Sequence, residues 1–165
     1  MTKNTVQRLM IFFLGIPAFI AVVLFLSFGR NVILLAVVLA VQALGAREAV
    51  SLFKAKGVAV SRAYLTALSI GASAIVYASP ALSPLFPSSP GSLEWLLGAT
   101  AIGSLAAIAP FAFAKSDAFP LLLARMSASL FVFFYCGALG AFLVYITSCF
   151  GQSVAPVLTF ALMTF

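Results

Sequence analysis

Apolar residues come in long runs separated by short polar clusters, on a scale set by a bilayer and not by a soluble core. The first run, Leu9 to Phe28, follows Lys3 and Arg8 and holds twenty residues, close to the ~20 an α-helix needs to cross the hydrocarbon of a membrane. No A-x-A-like cleavage site follows it, so it reads as an anchor and not as a signal peptide. Gly15 and Pro17 are expected to kink its first turns. A second span is predicted over 31–53, apolar to Gly45 and then continuing as a helix that leaves the bilayer. There Arg47, Ser51 and Lys54 stack on one face, beside an apolar face of Ala46, Val50 and Phe53. Lys54, Lys56 and Gly57 supply the cations and the breaker that end a helix. A third span, 63–79, is near the lower length limit. Pro80, Pro84, Pro87 and Pro90 then predict a loop from Pro80 to Ser92. Glu94 and Trp95 open a fourth span, 93–114, with an acid suited to the helix dipole and an aromatic suited to the interface.

Lys115 to Pro120 reads as a polar turn, and a fifth span, 126–148, follows Arg125. Gly137 and Ala141 form a small-xxx-small pair that lets another helix approach closely. The last run, 152–165, has fourteen residues and covers about 21 Å at the helical rise. That is short of a crossing, so the expectation is either a re-entrant end or a chain that continues past Phe165. The pattern as a whole predicts an all-α polytopic transmembrane helix bundle in one domain, 1–165, with five complete spans and a truncated sixth.

Composition removes the soluble alternative. The chain is 64% hydrophobic and 7% charged, against about 25% charged for a soluble domain, and its mean hydropathy is +1.24. The net charge of +6 does not point to nucleic acid, because the cations sit between apolar runs and not on one solvated face. They orient the chain instead. Lys3, Arg8, Arg47, Lys54, Lys56, Arg62, Lys115 and Arg125 fall on one side and only Arg30 on the other, which places the N-terminus in the cytoplasm. The expected location is the cell (inner) membrane, multi-pass. Cys136 and Cys149, if on one helix, are separated by about 20 Å, too far for a disulfide.

Self-contained active-site motifs are absent. There is no histidine, and the three acids, Glu48, Glu94 and Asp117, are scattered over both sides. Neither a G-x-S-x-G elbow, a P-loop nor an H-E-x-x-H is present. The one polar grouping is Arg47, Glu48, Lys54, Lys56 and Arg62. Arg47, Lys54, Lys56 and Arg62 are the candidates for receiving a substrate phosphate or a lipid headgroup. The plainer alternative is that they only enforce topology and touch anionic lipid.

The order of segments resembles that of the phosphatidate cytidylyltransferase (CDP-diacylglycerol synthase) family. The residues that carry the resemblance are Arg8-Leu9, Gly15-Ile16-Pro17 and Ala46-Arg47-Glu48-Ala49-Val50-Ser51-Leu52-Phe53 with Gly57 after it. They also include the run Ser129 to Gly137 with its Tyr135-Cys136-Gly137, and Pro156 to Phe165, which is similar to the helix leading into the family's Asn-Asp or Ala-Asp segment. The resemblance implies a nucleotidyltransferase of phospholipid biosynthesis, in which CTP and phosphatidic acid give CDP-diacylglycerol and pyrophosphate with Mg2+. It implies that this chain is the N-terminal half, with the metal and CTP ligands beyond Phe165, and that the 165 residues alone are inactive. Two other readings stand beside it, a small non-enzymatic membrane subunit whose small-residue faces bind partner helices and half of a transporter, and a homo-oligomer is an assembly open to the chain. A polar residue inside a span would favour transport, for which Ser69, Ser73, Thr100, Ser104 and Ser127 are the candidates.

Overall fold

A computed structural model describes residues 32–82, 92–112 and 119–149. The predicted first span and the final run, 152–165, lie outside them. Helix α1 is Val32–Ala55, α2 is Arg62–Leu82 and α3 is Ser92–Ala112. The chain then forms one long helical element in three parts: α4 (Phe119–Val132), a π-helical segment (Phe133–Ala138) and α5 (Leu139–Cys149). Among the described residues, four helical stretches are long and apolar enough to cross a membrane, the last of them Phe119–Thr147. Large apolar side chains face outward on all of them, among them Val41, Leu44, Leu52, Ile102, Leu105 and Phe131. Such a surface suits lipid and not water, and the chain is a multi-pass membrane protein.

α2 and the α4–π–α5 helix pack together along the middle of the bundle, and α1 and α3 each pack against both. The buried face of α1 is Leu34, Val38, Gln42, Ala46 and Val50, one residue per turn. Two apolar clusters fill the interior. One gathers Leu34, Val38, Ala72, Val76, Leu96, Ala99, Phe133, Ala141 and Val144. The other, nearer the α1–α2 link, gathers Ala46, Val50, Leu65, Val132 and Cys136. Gln42 falls between them on α1, as Ser69 does on α2.

Local chemistry explains the helix ends. Gly57 has φ +82°, where a β-carbon would be strained. Its N–H bonds the Lys54 carbonyl and that of Val58 bonds Phe53, each at 3.0 Å, which closes α1 in a Schellman motif. Ser61, just before α2, caps it, its hydroxyl accepting from the Tyr64 N–H at 3.4 Å. The basic face expected on α1 is present: Arg47, Ser51 and Lys54 are exposed, while Ala46 and Val50 are buried.

Two expected boundaries need correction. The predicted loop began at Pro80, yet α2 runs on to Leu82 with Pro80 inside it. Proline removes the N–H that would bond the carbonyl four residues back, here that of Val76, and the Ser79 hydroxyl donates to that oxygen at 2.8 Å instead. The span predicted over 126–148 belongs to a helix that starts at Phe119, so Phe119 and Pro120 are helical and not part of a turn. Pro120 sits in the first turn, where an N–H has no intrahelical partner to lose.

Candidate functional site

The predicted phosphate-receiving residues gather at one end of the bundle. Arg47 and Lys54 lie on the last turns of α1, Lys56 in the link and Arg62 at the start of α2, and all are exposed. Glu48 is exposed beside them, and the Ser51 hydroxyl is turned back onto the Glu48 carbonyl at 2.6 Å. Next to this rim, Phe53 meets Phe131 edge-on at 5.8 Å, and Phe131 stacks on Tyr135 at 5.6 Å. The rim therefore sets exposed cations beside an aromatic, lipid-facing seam between α1 and α4. That arrangement offers charge to a phosphate and apolar surface to the chains attached to it.

A second polar grouping lies deep in the bundle, around a residue that sequence reasoning passed over. The Gln42 amide nitrogen faces three acceptors: Ser73 Oγ at 2.8 Å, the Cys136 carbonyl at 2.9 Å and the Gly137 carbonyl at 3.1 Å. Its two N–H donors thus tie α1 to α2 and to the π-helical segment. Gln42 and Ser73 are buried, at 4% and 0% exposure. Room for the amide comes from Gly140, where a β-carbon would overlap the Gln42 side chain. Gly137, half of the predicted small-residue pair, brings the π segment onto α2: a β-carbon there would lie 3.0 Å from Ser69 Cα.

Of the polar span residues singled out from sequence, only Ser69 and Ser73 join this junction. Thr100 and Ser104 donate to the carbonyls of Leu96 and Thr100 on their own helix, and Ser127 to that of Ala124. These bonds occupy the hydroxyls locally. Cys136 is a buried free thiol beside the junction, its Sγ 3.4 Å from where a β-carbon on Gly45 would stand.

Pro110 creates a further cross-helix tie. It lies inside α3 and deprives the Ala106 carbonyl of its helical donor. The Tyr64 hydroxyl, on α2, donates to that oxygen at 2.7 Å. Farther along the same seam, α2 and α3 part around an apolar cavity of about 430 Å³ lined by Ala67, Gly71, Ile75, Trp95, Gly98 and Ile102.

Among the described residues no three His, Cys, Asp or Glu side chains converge as a metal site would require. Glu94 opens α3, at the end of that helix remote from the rim. No protein-family model, no curated protein and no solved structure matches this chain.

Proposed function

We propose that this bundle is the lipid-holding part of a membrane-embedded phosphatidate cytidylyltransferase, oriented with the Arg47–Arg62 rim in the cytoplasm. The observation that carries the reading is the gathering of Arg47, Lys54, Lys56 and Arg62 at one end of the bundle. Phosphatidic acid keeps its acyl chains in the bilayer and presents a phosphomonoester at the interface. Cations on flexible stems beside a lipid-facing aromatic seam are matched to both parts. The segment order described above adds support for CTP as the second substrate.

The described residues do not fit the magnesium that such chemistry uses. Hard divalent cations want converging oxygen ligands, whereas among the described residues Glu48 is the one carboxylate at the rim and Glu94 opens α3 at its other end. The role assigned to these helices is accordingly to bind and orient the lipid phosphate, and no metal-assisted step is routed through them.

The test pairs binding with turnover. In nanodiscs, the chain is expected to select phosphatidic acid over phosphatidylglycerol, and Arg47→Gln, Lys54→Gln, Lys56→Gln and Arg62→Gln together are expected to abolish the selection. Equal binding of the two anionic lipids reduces the rim to a topology signal. Membranes expressing the natural gene should convert phosphatidic acid to CDP-diacylglycerol only when CTP is added. If they make none above background, the enzymatic reading is lost. A second reading, half of a transporter, is favoured by Gln42, since polar groups at membrane depth often mark solute paths. It predicts solute flux into vesicles that Gln42→Leu stops.

A further inference from the structure

Two buried polar atoms at the Gln42 junction have no partner among the described residues: Gln42 Oε1 and Ser69 Oγ. Their residues are 4% and 0% exposed. Turning the carboxamide over does not help, because its oxygen would then face the Cys136 and Gly137 carbonyls, acceptor against acceptor. The amide orientation is therefore set by the π segment, and Oε1 is left without a donor as a result. Ser69 lies one turn from Ser73, whose hydroxyl contacts the same amide, and its Cα adjoins Gly137. Both atoms border the meeting point of α1, α2 and the π segment.

We propose that this junction is an internal hydration site, in which bound water donates to Gln42 Oε1 and exchanges hydrogen bonds with the Ser69 hydroxyl. Buried water is typically held by two to four polar partners that the protein leaves unmet. The chemistry of the lining selects water over a cation. It is uncharged, and the two backbone carbonyls that a cation would need already accept from the Gln42 amide. The proposal is independent of the lipid-binding reading, since none of the rim cations takes part in it.

Water-to-protein polarisation transfer by solid-state NMR, on the full chain in bilayers, tests it directly. Transfer is expected at the Gln42 side-chain amide in the wild-type chain and is expected to be lost in Ser69→Ala. Exposed Lys56 serves as the positive control. Ser69→Ala is nearly isosteric, so its thermal midpoint gives a second readout. A hydrated site loses a partner and the midpoint falls. A dry site loses only an unpaired hydroxyl, and the midpoint stays level or rises. Absent transfer at Gln42 in the folded wild-type chain, or a Ser69→Ala midpoint at or above that of wild type, overturns the proposal.

Discussion

The amide of Gln42 occupies the space that a β-carbon on Gly140 would fill, and from there it reaches the carbonyls of Cys136 and Gly137. A long polar side chain on one helix and a missing side chain on another are thus two halves of one contact. Neither is explained alone. Gln42 without the gap would have to leave the interior, and the gap without Gln42 would be a void beside two carbonyls.

Gly140→Ala is therefore expected to destabilise the bundle by about 1–3 kcal/mol, the usual range for overpacking a tight interior. Steric unfolding in detergent is the measurement. In a Gln42→Ala background the same substitution should cost much less, because contacting residues couple.

Gln42→Leu keeps the volume and removes the hydrogen bonds. Interhelical hydrogen bonds in membranes contribute about 0.6 kcal/mol each on average and up to about 1.7, so a loss of about 1–2 kcal/mol is expected. Equilibrium unfolding in mild detergent with increasing SDS checks it, and a variant as stable as wild type would show that the tie contributes nothing.

Tyr64→Phe should loosen α2 from α3 by about 1 kcal/mol, the net worth of a typical hydrogen bond. Pro110→Ala restores the N–H that bonds the Ala106 carbonyl within α3. The loss on Tyr64→Phe should shrink in that background, and a double-mutant cycle reads the difference.

Gly57→Ala places a β-carbon at φ +82° with no neighbour within 4 Å to clash with. Its cost is backbone strain alone, about 1 kcal/mol. The expected signature is faster amide exchange in the last turn of α1, with the rest of the bundle unchanged.

The helices were legible because their cause is local. Runs of apolar residues of bilayer length leave the backbone no alternative to helix, and the face of Arg47, Ser51 and Lys54 follows from spacing alone. The loop expected at Pro80 was misplaced because proline's effect depends on who takes the freed carbonyl, and Ser79 does so from the preceding position. Gln42 was passed over for a different reason. A search for charged clusters and motifs does not register a lone amide, and beside Ser73 its partners are backbone carbonyls 94 and 95 residues away, which have no letter in the sequence. The available signal was the oddity itself, one amide in the buried stripe of a 24-residue apolar helix. The π segment had no such signal, since Phe133 to Ala138 reads as ordinary helix.

The tie between Tyr64 and Ala106 bears on how the protein is made. α2 precedes α3 in the chain, so the hydroxyl that completes the broken ladder at Pro110 is synthesised before the carbonyl that needs it. α3 meets its donor on arrival and need not wait in lipid with a bare carbonyl, which the bilayer penalises. Gln42 has the opposite fate: it is made early, and its carbonyl partners come last. Until the π segment arrives the nascent protein has only the Ser73 hydroxyl of α2 to meet that amide, which makes the order of translation part of the stability of the membrane-inserted intermediate.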